Sequence, residues 1–135
     1  MGYTHYFEGS VSLDPTTQNE VRKLIIAGQR QGIVLAGWDG TGEPTVNDEE
    51  IRLNGDASAD LDHETFAILN DNSGFGFCKT ALKPYDAVVG AILILLAEKN
   101  STFSVSSDGT WEDDWEGPRG LYLSTFNRVP ESILS

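Results

Sequence analysis

Cys78 is the sole cysteine among 135 residues, so no internal disulfide can form and the fold must rest on its hydrophobic core. That scarcity fits a reducing compartment. Positive charge is scarce as well: 9 lysines and arginines stand against 21 aspartates and glutamates, a net charge of −12. Such a chain has no basic face to track a phosphate backbone or an anionic lipid surface, so nucleic acid is not the expected partner. Acidity of this kind serves solubility, or hydration at high salt where self-repulsion is screened; the second points to a salt-loving, halophilic source. Mimicry of nucleic acid would need a regular acidic stripe, and the acids here are scattered through loops. Long apolar runs are missing too. The longest, residues 87–97, is broken by Gly90 and falls short of the roughly eighteen residues that a membrane span needs, so it reads as a buried helix and no membrane is expected. The opening residues lack a basic segment followed by an apolar one, so no secretory leader is expected and the location reads as cytoplasmic.

What is present describes one α+β domain over residues 1–135, with a core large enough to bury about two thirds of the unfolded surface. Tyr3 to Phe7 is aromatic and β-branched and reads as a first strand ended by Gly9, with Tyr3, His5 and Phe7 on one face and Thr4 and Tyr6 on the other. A helix follows. Its start is either Asp14 as cap with Pro15 in the first turn or a capping box from Thr17 to Glu20; Val21, Leu24, Ile25 and Gly28 share a buried face, and Gly32 stops it. Strands are expected at 33–36, 50–55, 64–69, 75–78 and 102–106, with the turn Asn70 to Gly74 joining two of them as a hairpin and Gly76 marking a bulge or a close approach. Residues 84–99 form a second, almost wholly apolar helix. From 120 onward the pattern is irregular. The whole predicts a single antiparallel or mixed sheet of about five to six strands with two helices packed on one face.

The stretch Phe77 to Asp86 is the candidate site. Lys79 and Lys83 are two of only four lysines, and they precede the second helix, whose first turn offers unpaired amides and a positive dipole end. With the Thr80 hydroxyl and the Tyr85 phenol they describe an anion pocket, each charged hydrogen bond contributing about 1 to 3 kcal/mol if desolvated. Tyr3, His5 and Tyr6 would line its remainder if the first strand lies alongside. The competing reading pairs these lysines with nearby carboxylates such as Asp86. Cys78 reads as a nucleophile activated by Lys79, or as a small buried hydrophobe. His5 and His63 are the only histidines, and neither has metal-ligand spacing; Asp60, Asp62 and Glu64 alternate but lack the rest of a calcium loop, so no metal and no cofactor are expected. The glycine-rich loop at 37–44 matches no phosphate fingerprint. Trp38, Trp111 and Trp115 all fall in expected loops and are candidates for a protein partner or a homo-oligomer contact.

Gly2 to Phe7, Asn54-Gly55, Glu64-Thr65-Phe66 and Phe77 to Asp86 together resemble a group of small proteins encoded by phages, archaeal viruses and scattered cellular genomes. The resemblance covers residues 2 to about 109. It implies a virus-linked context and assigns no catalytic role to any residue. Three functional expectations follow. The first is a protein binding an anionic or nucleotide-like small ligand through Lys79, Thr80, Lys83, Tyr85, His5, Tyr3 and Tyr6. The second is a structural or interaction protein, as a virion component or a subunit of a larger assembly. The third is an enzyme using His5 or Cys78.

Overall fold

Helix α1, Pro15–Arg30, begins as the local chemistry dictates: the Asp14 carboxylate accepts the Thr17 N–H at 2.8 Å, and Pro15 sits in the first turn, where a missing N–H costs nothing. Of the two helix starts legible in the sequence, this is the one used. The computed structural model of the chain describes residues 2–71 and 74–135. Among them are seven strands and three helices: β1 Thr4–Glu8, β2 Leu35–Ala36, β3 Thr45–Val46, β4 Glu50–Gly55, β5 Phe66–Leu69, β6 Phe75–Lys79, α2 Asp86–Lys99, β7 Ser104–Ser107 and α3 Glu116–Phe126. The class is α+β, as expected.

The strands make two sheets in place of the expected one. In the first, β1 runs between β6 and β7, antiparallel to both; in the second, β4 pairs with β2 and β3 at successive positions and with β5 along residues 50–53. The expected hairpin between β5 and β6 does not form a ladder. β5 spends its pairing on β4 and β6 spends its own on β1, so the two strands diverge from a near-contact where the Glu64 N–H donates to the Lys79 carbonyl at 3.1 Å. Residues 72 and 73 of the expected turn lie outside the described residues. Gly76 is a close approach, since a Cβ there would lie 2.6 Å from the Phe7 ring.

Helix α2 is buried along ten of its fourteen positions, from Asp86 through Leu96, and forms the centre of the hydrophobic core. Each of its leucine, isoleucine and valine side chains contributes about 1.5 to 3 kcal/mol by leaving water. It is flanked by α1 and by a third, unexpected helix, α3, which starts at Glu116 and runs into the stretch from 120 onward expected to be irregular. Pro118 is tolerated because it falls in the first turn of α3, and Trp115, Pro118, Leu121 and Tyr122 make its buried side. Gly90 sets this crossing: a Cβ there would lie 2.5 Å from Pro118 Cγ. No helix among the described residues is long and apolar enough to cross a membrane.

Candidate functional site

Alternation along β1 sends His5 inward and Tyr6 outward, and this splits the expected site into two faces of one sheet. On the inner face His5 is fully buried opposite Cys78 on β6 and Ser107 on β7. Its Nε2 lies 2.6 Å from Asp86 Oδ1, and its Nδ1 lies 2.9 Å from Ser107 Oγ. Thr80 Oγ1 donates to the same Asp86 oxygen at 2.6 Å. Ser107 Oγ accepts from the Gly109 N–H at 3.0 Å and from Trp115 Nε1–H at 3.1 Å. Both are donors only, so they occupy its lone pairs and direct its own proton to His5 Nδ1. The network thereby assigns the neutral imidazole proton to Nε2, which donates to the Asp86 carboxylate. Tyr3 and Trp115 pack edge-on against the imidazole with centroids at 5.1 and 4.9 Å. The Tyr3 hydroxyl is buried, and desolvation outweighs the opposing effect of the neighbouring Ser107 hydroxyl and pushes its pKa up to about 12.

A serine, a histidine and an aspartate joined in this order have the connectivity of a hydrolytic triad. Here it does not make one. The Ser107 oxygen has no free lone pair for attack, and the five best-formed clefts among the described residues are not lined by Ser107, His5 or Asp86. Cys78 stands across the ladder from His5, so proximity is not lacking, but the thiol is fully buried. Burial, with the charges of Glu64 and Asp86, raises its pKa to about 12 and keeps it protonated. It behaves as the small hydrophobe of the blander reading.

The anion pocket expected at the start of α2 is filled by the chain itself. Asp86, 5 % exposed, brings a carboxylate to the helix N-terminus, and it is held by His5 and Thr80 where Lys79 and Lys83 were expected. The first amides are also taken: the N–H of Asp86 donates to the Lys83 carbonyl at 2.8 Å and that of Val88 to the Tyr85 carbonyl at 3.0 Å. The preceding turn carries Ala81 and Leu82 at φ +53° and +56°, a left-handed pair costing on the order of 1 to 2 kcal/mol per residue. It is held by Thr80 and Ala81 amides on the Tyr3 carbonyl. Tyr85 is fully buried and donates to the Glu64 carbonyl at 2.5 Å, its pKa raised chiefly by desolvation. Lys83 Nζ donates to the Asp60 carbonyl at 3.0 Å, and Lys79 Nζ stands over the Phe77 ring at 5.8 Å. The seven expected ligand residues therefore scatter: Tyr3, His5, Thr80 and Tyr85 face the interior, Tyr6 and Lys79 lie on the outer sheet face, and Lys83 ties down the turn.

Trp115 is withdrawn from the expected partner surface by full burial, and Trp111 stacks on it at 5.8 Å while Arg119 covers Trp111. Only Trp38, 64 % exposed, is available among the three. No three His, Cys, Asp or Glu side chains among the described residues gather to hold a metal ion.

The sequence reading missed the outer face of β6, β1 and β7. In register, Tyr6 stands opposite Phe77 and Glu8 opposite Phe75, so these side chains share the solvent side. Phe75 is 65 % exposed and Phe77 47 %; Tyr6 stacks toward Phe75 at 6.4 Å, and Phe75 lies 6.4 Å from Phe77. Tyr6 is fixed by donating to Asp108 Oδ1 at 3.1 Å. The signal was the alternation of Phe75, Gly76 and Phe77, a strand whose large residues fall on one parity and whose inward position is a glycine. Comparison with protein-family models, with curated proteins and with solved structures returned no match.

Proposed function

We propose that the chain is an interaction protein, a subunit of a larger assembly, whose contact surface is the solvent side of β6, β1 and β7. One observation carries this reading: two phenylalanines stand side by side on the outward positions of an edge strand, continuous with Tyr6. Monomeric proteins blunt such edges with charge, proline or cover, and here the edge carries aromatic rings. Each ring taken out of water by a partner contributes on the order of 2 kcal/mol. The virus-linked context implied by the resemblance suits such a subunit and belongs to the same proposal. A small anionic or nucleotide-like ligand at Lys79, Thr80, Lys83 and Tyr85 is the competing proposal. It ranks second because Asp86 already occupies the helix start and two of those four side chains are buried.

The test compares wild type with a Phe75→Ser, Phe77→Ser double variant by light scattering and by co-purification from the native source. A defined partner retained by wild type and lost by a folded double variant supports the reading. Identical retention by both proteins overturns it. Thermal stabilisation by a phosphate-bearing small molecule that Lys79→Ala with Lys83→Ala removes would favour the competing proposal.

A further inference from the structure

The outer face ends at a backbone edge that has no strand partner among the described residues where its rings are most exposed. The Lys79 N–H donates to Glu64 Oε1 at 3.3 Å and its carbonyl accepts from the Glu64 N–H, so both Lys79 groups turn away from β1. The period of an antiparallel ladder turns the backbone groups of Phe77 and Phe75 the same way, and no described strand pairs with them there. Across the gap, the Asn70 N–H donates to the Glu49 carbonyl, which sets the same alternation on β5 and turns the backbone groups of Ala67 and Leu69 away from β4. Among the described residues no strand pairs with either edge, and the two border one cleft.

Between them lies a cleft of about 150 Å³ lined by Ala67 and Leu69 of β5, Phe75 and Gly76 of β6, and Phe7 and Phe103 beneath. It has the size for one aliphatic side chain, and Gly76 contributes no side chain of its own to fill it. Leu69 and Arg52 also border a second, open cleft whose other walls include Asp48, Glu49 and Glu50. Arg52 is already paired with Glu50, so acidic charge dominates that cleft. On the outer face, Glu8 stands opposite Phe75, and the Lys79 ammonium already settles over the Phe77 ring. A second copy of this chain would bring another −12 to the same place.

Resting on the proposed interaction function, we infer that the partner presents an extended basic segment that adds as a strand to β6 along Phe75 and Phe77. One aliphatic side chain enters the cleft between β5 and β6, and neighbouring lysine or arginine side chains meet the rings and the carboxylates of Asp48 and Glu49. Backbone hydrogen bonds supply the registry, the cleft selects size, and the acids select charge.

The probe is a capped synthetic peptide of about six residues alternating lysine with valine, measured by fluorescence anisotropy at low and high salt. Binding that weakens with salt is expected, with a loss of about tenfold or more for the same peptide N-methylated along its centre, which keeps the side chains and removes the donors. Asp48→Lys with Glu49→Lys, both on an exposed loop, is expected to weaken binding by a similar factor while melting as wild type does. An N-methylated peptide that binds as well as the parent overturns strand addition; loss of both peptides in the Phe75→Ser, Phe77→Ser variant would then leave the aromatic surface standing. Failure of the basic peptide, while that variant still loses its co-purified partner, overturns this inference and spares the proposed function. A dimer of the chain alone, abolished by the same variant, overturns it in favour of a second copy.

Discussion

The two faces of the sheet formed by β6, β1 and β7 each hold residues that the other would be expected to hold, and they treat them differently. Beside the core residues Phe7, Cys78 and Val105, its inner face buries His5 and places Ser107, which join Thr80 just beyond β6 and Asp86 at the start of α2; its outer face carries Phe75, Phe77 and Tyr6 beside Glu8 and Lys79. The inner groups nearly all have partners, whereas the two outer phenylalanines have only Tyr6, each other and Lys79. Burial of polar groups is costly unless each is matched, so a matched network is structure: it ties β1, β7, the turn before α2 and the Trp115 indole into one unit. Exposed aromatics have no such structural justification, and the proposed contact surface rests on them.

The comparison predicts the largest effect from breaking the inner network. Asp86→Ala strands His5 and Thr80 in the core and is expected to cost about 3 kcal/mol in urea unfolding, with Asp86→Asn costing less because it keeps an acceptor. A loss below about 0.5 kcal/mol would mean the network is dispensable. Gly90→Ala comes next. In a free helix that change gains up to about 1 kcal/mol, but the contact with Pro118 forces α2 and α3 apart, and a net loss of about 1 to 2 kcal/mol is expected from the shift in thermal midpoint.

Alkaline pH offers a subtler probe of the same interior. Cys78 and Tyr3 have folded pKa values raised to about 12, from 9.0 and 10.0. Between those limits the unfolded chain releases protons that the folded chain keeps, so stability is fully present below about pH 9 and declines as pH rises toward 12. Cys78→Val is expected to flatten part of that decline in urea titrations; an unchanged slope would remove the thiol from the account. The smallest stability change belongs to the outer face: Phe75→Ser with Phe77→Ser is expected to stay within about 0.5 kcal/mol of wild type, and a larger drop would make those rings part of the fold.

Much of this was written in local patterns. The Asp14 cap, the buried stripe of α1 and the apolar run of α2 follow from spacing alone, and alternation placed Tyr3 and His5 on one face and Tyr6 on the other. Strand partnership was not legible, because the proximity of β5 and β6 in sequence argued for a hairpin while their side chains and edges chose β4 and β1. The third helix hid behind Gly117, Pro118 and Gly120, whose low propensity is overridden by the packing of Trp115, Leu121 and Tyr122. The lysine loop misled for a related reason: the cations were visible, but the buried carboxylate meeting His5 is a contact 81 positions apart, and spacing within the loop carries no trace of it.

On the proposed reading, partners land on the β6 edge and the turn before α2 is structural. Amide hydrogen exchange of the chain with its co-purified partner bound tests this directly. The account predicts slowed exchange at Phe75 and Phe77 with no change at residues 80–86. Protection confined to residues 80–86, with Phe75 and Phe77 unaltered, would contradict it.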